Sequence, residues 1–356
     1  MKKLYTSDKY KLRQRRIYRL FKKRKSSRTK RKRQNTIREA ERIVKKDILP
    51  KIIAPSDFRL LQNTEDCLSF FSDLRNKDNL THIVGRPYVE MSLKHVTQID
   101  YCTISFLNAI IDDFIFKRIL LRTNFPRDEH CRQFLLDSGF TNKLYNEKGR
   151  PFPKNKNSEL LFFEKGAQRL TKDDNLRISR AAANIMKHLT GNDGYCQSIR
   201  TMLLEICGNS IEWSGTENKQ WLLGLKYEED KVIMTVTDVG KGIVKTLYKK
   251  FGQNFSDFVT RKTNDNVLFG AFERKYGSSS QKINRNKGLP CIKSNFDNKN
   301  IVELKVFTNN VILHFDDKTK SRTIERGNAW MKGTLYRWVV NKDCIINRCD
   351  HENDYC

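Results

Sequence analysis

Proline and glycine are scarce, at 7 and 17 of 356 residues. Collagen-like and Pro/Gly-rich low-complexity chains, which need roughly a quarter or more of these residues, are excluded. Long apolar runs are also missing. The longest, from Ile104 to Phe116, is broken by Asn108, Asp112 and Asp113. It falls short of the roughly 18 apolar residues of a membrane helix, so no membrane span is expected. The opening segment MKKLYTSDKYKLRQRR has no apolar stretch behind its charges, as a secretory leader would. The nine scattered cysteines therefore read as reduced thiols, and a cytoplasmic location is expected.

Acidic residues are the remaining shortage: 41 Asp and Glu against 69 Lys and Arg leave a net charge of +28. Residues 1–50 hold 21 basic and 4 acidic residues, so +17 of that excess sits in the first 50 positions and +11 in the other 306. The remainder is ordinary in composition, with 38% hydrophobic and 10% aromatic residues over the whole chain. At about 150 residues per domain, this length suggests two folded domains with extensions.

The basic arm, residues 1–50, interleaves its charges with Tyr5, Tyr10, Leu12, Ile17, Tyr18, Leu20 and Phe21, a spacing that allows a basic amphipathic helix before the run RKSSRTKRKRQ. Clustered cations of this kind bind nucleic acid by releasing counterions, or an anionic membrane face. A solvated arm or an expression-related extension is the alternative reading.

Residues 51–150 read as a small α/β domain. A strand pattern at Val89–Leu93 is followed, after the turn segment Val96–Asp100, by a helical period at Ile104, Leu107, Ile110, Ile111 and Phe114. Residues 151–175 read as a linker, entered through the Pro151 and Pro153 region, with a leading strand at Leu160–Phe163. From 176 to 342 the order is helix, helix, hairpin, glycine loop. One helix covers Asn175–Leu189 and ends at Gly191, a second covers Gln197–Trp213, and β-patterned segments span Gln220–Tyr227 and Lys231–Asp238. Residues 343–356 form a tail.

Three pieces of this region carry chemistry. Glu205 and Asn209 lie four residues apart on the second helix and so share a face. The Asn oxygen suits a hard cation and the Glu suits polarising water, although an ordinary helix-surface pair has the same spacing. Asp238-Val239-Gly240-Lys241-Gly242-Ile243 ends a strand. Without Cβ atoms at Gly240 and Gly242 a planar ring can lie against the main chain while Asp238 accepts from an exocyclic amine; a plain tight turn is the alternative. Asn286-Lys287-Gly288-Leu289-Pro290 opens another helix, whose free N–H groups suit phosphate. The intervening polar segment, Val244–Arg285, reads as a lid or as a polar loop. A last strand, Leu335–Val340, follows Gly333-Thr334.

In this order LLEICGNSIEWSG, TDVGKGI, NKGLP and GTLYRWVV resemble the N, G1, G2 and closing Gly-Thr motifs of the GHKL ATP-binding superfamily, which includes gyrase-type ATPases, MutL, histidine kinases and anti-sigma-factor kinases. The resemblance covers residues 176–341. It implies a Bergerat-type α/β sandwich with ATP and Mg²⁺ as cofactors. Asn209 would ligate the metal, Glu205 would act as general base, and Asp238 would read the adenine amine. Gly240 and Gly242 would line the ring, Lys287, Gly288 and Leu289 the phosphates, and Thr334 the adenine pocket. Asn286 stands where the family has its first G2 glycine. The first domain resembles the STAS-type domain of anti-sigma-factor antagonists. Their phosphorylatable serine follows an Asp, whereas here Asp100 is followed by Tyr101 and Cys102, with Thr103 beyond.

The resulting expectation is an ATP- and Mg²⁺-binding regulatory protein whose lid orders on nucleotide, with ATP hydrolysis or protein phosphorylation as its activity. The other class is a nucleic-acid-binding protein that uses residues 1–50, with the ATPase-like domain as switch or scaffold. A protein partner docking on the STAS-like domain and a homodimer stay open. At the C-terminus Cys344, Cys349, His351 and Cys356 have a donor set for zinc, with a frayed terminus bearing free thiols as the alternative.

Overall fold

The computed structural model describes residues 12–13, 15–20, 22, 52–83, 86–153, 161–167, 170–194, 196–213, 220–249, 263–273, 288–325 and 329–346. The fold is mixed α/β, with both parallel and antiparallel sheets. The chain divides into two compact units, 1–50 with 81–87, and 51–80 with 88–356. In the first unit residues 15–20 are helical and exposed, with Ile17, Tyr18 and Leu20 set among Arg15, Arg16 and Arg19, as the arm's spacing allows. Strand β3 (Thr81–Ile83) also belongs there.

The second unit begins with β1 (Ile52–Ile53), β2 (Asp57–Phe58), α1 (Thr64–Leu74), β4 (Arg86–Ser92, in this unit from Tyr88), β5 (Gln98–Ile99), α2 (Tyr101–Phe116), β6 (Leu120–Thr123), α3 (Glu129–Asp137) and β7 (Tyr145–Asn146). Strands β1, β4, β6 and β7 lie in that order and are all parallel. Parallel neighbours need long crossovers, and α1, α2 and α3 supply them. Within the Val96–Asp100 turn segment a short strand, Gln98–Ile99, pairs with Asp57–Phe58. Asp100 ends it because its side chain caps α2, accepting from Thr103 N at 2.8 Å.

A seven-stranded antiparallel sheet follows, in the order β13-β12-β11-β14-β10-β9-β8. Its strands are β8 (Leu161–Ala167), β9 (Gln220–Tyr227), β10 (Lys231–Asp238), β11 (Val302–Asn309), β12 (Val311–His314), β13 (Arg322–Thr323) and β14 (Met331–Asn341). Alternation gives this sheet two working faces. Val232, Met234 and Val236 on β10 and Tyr336, Trp338 and Val340 on β14 join one core with α4 (Lys172–Thr190) and α5 (Gln197–Trp213). Leu222, Phe307 and Leu335 point the other way, into the core of the first half. Helix α4 starts on a capping box, Thr171 with Asp174, and ends at Gly191 with φ +74°.

Helix α2 lies between the two sheets. Every residue from Tyr101 to Phe114 is buried, so its polar residues need internal partners. Ser105 Oγ sits 2.9 Å from Thr235 Oγ1 and 2.8 Å from Thr237 Oγ1 on β10. Asp112 is bridged by Lys143 and Lys165, and Asp113 by Lys117.

Two expectations are revised. The Val244–Arg285 segment is not loop throughout: α6 spans 243–249 and α7 covers Asn264–Phe272. Its polar composition hid Val244, Val267, Leu268 and Phe272, all buried. The tail beyond 342 begins as helix through Ile346, with Cys344 and Ile345 buried and Cys344 N bonded to Asn341 Oδ1 at 3.0 Å. Cys349, His351 and Cys356 lie outside the described residues.

Candidate functional site

At one end of the antiparallel sheet, β10 stops at Asp238, directly opposite Thr334 on β14. Two residues beyond Val236 on an alternating strand, Asp238 lies on the face covered by α5. It is 6% exposed. Oδ1 accepts from Gly240 N at 2.8 Å, and Thr334 also hydrogen-bonds to the carboxyl. Burial pushes this carboxyl from its ordinary 3.8 up to about 6, against the opposing pull of those bonds and of the Arg75 charge. A carboxylate offers about four lone-pair sites. Gly240 N, Thr334 N and the Thr334 hydroxyl engage three, which leaves one for a ligand amine.

The loop after Asp238 is fixed by β11. Thr308 Oγ1 donates to Gly333 O at 3.0 Å and accepts from Ile243 N at 2.9 Å. The Asn309 amide donates to Lys241 O at 2.9 Å and accepts from Lys245 N at 3.1 Å. Gly242 has φ +83°, and a Cβ there would come within 2.5 Å of Asn309 Oδ1. The glycine is thus required by the turn and by Asn309, while Gly240 is buried beside the Asp238 carboxyl. Gly333, at φ +143°, lets its strand pass the Asp238 carbonyl, since a Cβ would sit 2.1 Å from that oxygen.

The other expected residues stand on neighbouring elements. Helix α5, carrying Glu205 and Asn209, packs on β9 and β10 and against α8 (Gly288–Asp297). Glu205 is half-buried, and the Asn209 side chain lies outside the described ones. Gly288 opens α8 and is buried, with Leu289 half-buried after it; Lys287 lies outside the described residues. Among the described residues no group of three or more His, Cys, Asp and Glu side chains is gathered around a metal position.

Three contributors had been missed. Thr308 and Asn309 belong to a tight β11–β12 hairpin, in which Asn309 adopts φ +54°. The dipeptide Asn309-Asn310 between alternating segments was a readable signal for that turn. Arg75, just past α1, donates to Val239 O at 2.9 Å and to Lys332 O, and nothing local in its sequence announces this. In the first half, the Thr103 hydroxyl is fully buried and bonded to Phe58 O at 2.6 Å and Asp100 Oδ1 at 2.7 Å, so it is not presented as a phosphorylation site. Compared with protein-family models, curated proteins and solved structures, the chain matches none.

Proposed function

We propose that this protein binds ATP with Mg²⁺ as a regulatory ATPase or kinase of the GHKL type, with a Bergerat-type domain over 176–342 and a STAS-like domain over 51–150. The reading is carried by the buried Asp238 carboxyl, which faces Thr334 across two strands immediately before a loop containing Gly240 and Gly242. A buried carboxyl with a spare acceptor site selects a ring that presents an amine, and the neighbouring hydroxyl and glycine backbone suit the polar edge and flat face of adenine. The helix bearing Glu205 and Asn209 borders both β10 and the helix that Gly288 opens, an arrangement that suits phosphates and metal between them. With one protein ligand, Asn209, the cation would take its other ligands from phosphate and water, which suits Mg²⁺. Glu205 would then orient the attacking water or hydroxyl.

Titration calorimetry of the full chain with ATP and Mg²⁺ tests this. The wild type binds, Asp238→Asn loses about tenfold or more in affinity, and Asn209→Ala loses the Mg²⁺ dependence. Binding unchanged in Asp238→Asn, or absent from the wild type, overturns the reading. Phosphate release that survives Glu205→Ala removes that residue from the base role.

A second reading concerns the arm, where residues 15–20 form an exposed helix with Arg15, Arg16 and Arg19 beside Ile17, Tyr18 and Leu20. It would give the protein salt-sensitive affinity for nucleic acid, and deleting residues 1–50 would flatten the salt slope.

A further inference from the structure

On the face of the antiparallel sheet turned away from Asp238, a cavity of about 400 Å³ opens between the strands and the start of α2. Lys226 on β9, Lys305 on β11 and Arg337 on β14 line it. Lys305 and Arg337 are directly opposed cross-strand neighbours. Like charges in that relation destabilise a sheet unless something offsets them. Glu303 binds Arg337 at 2.7 Å, and Glu228 binds Lys226 at 2.5 Å. The Lys305 side chain hydrogen-bonds and ion-pairs with none of the described residues. The single carboxyl in the wall is Asp100, whose Oδ1 is already committed to capping α2 through Thr103. His130 on α3 adds a further nitrogen group on the same side. Glu228 and Glu303 neutralise Lys226 and Arg337, which leaves Lys305 as the wall's cation with no carboxylate paired to it; beside low-dielectric walls such a charge concentrates field on an anion. Part of the lining is apolar, from Ile99, Phe134 and Ile233.

We propose that this cavity is a binding site for a small organic phosphate, held at its phosphate by Lys305 and Arg337 and along its apolar part by Ile233 and Phe134. A guanidinium and an ammonium side by side suit the three oxygens of a phosphate monoester, the Arg as a planar fork and the Lys as a point charge. The site does not depend on nucleotide binding. Its cations alternate along their strands with Leu225, Val306 and Trp338, which face the opposite core.

Thermal shift and calorimetry on the full chain test it, using phenyl phosphate and inorganic phosphate at matched ionic strength, with and without saturating ATP and Mg²⁺. Phenyl phosphate should raise the melting temperature more than inorganic phosphate does, and ATP should leave that response intact. Lys305→Gln should weaken phenyl phosphate binding by about tenfold or more. Lys305→Glu should abolish it while raising the ligand-free melting temperature, because Glu would pair with Arg337. An equal response in the wild type and both variants, no response in the wild type, or a response erased by ATP overturns the proposal. A fall in ligand-free stability in both Lys305 variants also overturns it, since the lysine would then be a structural partner.

Discussion

The Arg75 guanidinium donates to the Val239 carbonyl at 2.9 Å and thereby ties the end of helix α1 to the backbone immediately after Asp238. The same group donates to Lys332 O, one residue before Gly333. It therefore staples together the two chain segments that flank the Asp238–Thr334 pair. Replacing it by methionine keeps an apolar stem and leaves both carbonyls without this donor. Arg75→Met should cost about 1–3 kcal/mol in denaturant unfolding. If the loop's shape matters for ATP, affinity should fall as well. Unchanged stability would mean that water replaces the guanidinium at no cost.

Asp238 makes stability depend on pH with a definite sign. Burial raises its folded pKa to about 6 from an ordinary 3.8. The folded state therefore holds the proton more tightly than the unfolded chain does. Its contribution is complete below about pH 4 and is lost as pH rises towards 6, by about 3 kcal/mol. Other carboxyls here, Asp174 among them, are shifted down and act in the opposite direction. The wild-type-minus-Asp238→Asn difference in unfolding free energy isolates this group. That difference should slope between pH 4 and 6 and be level above about 7. ATP affinity should drop below about pH 6, because a protonated carboxyl accepts poorly from an amine.

Three glycines with positive φ should respond differently to alanine. At Gly333 the new Cβ would meet backbone, 2.1 Å from Asp238 O, and at Gly242 it would meet the Asn309 amide at 2.5 Å. At Gly191 nothing lies within 4 Å. Gly191→Ala should cost only the left-handed backbone strain, about 1 kcal/mol. Gly333→Ala should cost more than about 3 kcal/mol. Gly242→Ala should fall between them and displace Asn309. Melting temperatures rank the three, and equal shifts would contradict these contacts.

Ser105 offers a small lesion at the junction of the sheets. Ser105→Ala leaves the buried Thr235 and Thr237 hydroxyls without this partner and should cost about 1–3 kcal/mol in denaturant unfolding. Adding Thr235→Val and Thr237→Val should recover part of the loss, since an apolar group replaces each orphaned hydroxyl.

Elements with strong periodicity were legible. The bounds of α5, β9 and β10 are those expected, Gln197–Trp213, Gln220–Tyr227 and Lys231–Asp238, because α5 carries an apolar stripe at helical spacing and the acidic turn Glu228-Glu229-Asp230 separates two apolar β-rich runs, although β9 is buried on both faces from Gln220 to Leu225. Helix α7 was not, because its short apolar run, Val267–Phe272, is flanked by polar segments and buries against α8, β12 and β13, partners distant in sequence. The pairing of Asp238 with Thr334 was legible only through motif order, since they lie 96 positions apart in sequence. Arg75 was invisible, because its partners are main-chain carbonyls 164 and 257 residues away that any residue type could supply.

The double burial of α2 has a consequence for how the chain comes apart. With Tyr101–Phe114 enclosed on every side, peeling away either sheet would strip half the cover from the same rod. Neither half has an independent melting point to display, so calorimetry should record a single endotherm for residues 51–346. A protease nick between 153 and 161 should leave both fragments clasped together through gel filtration.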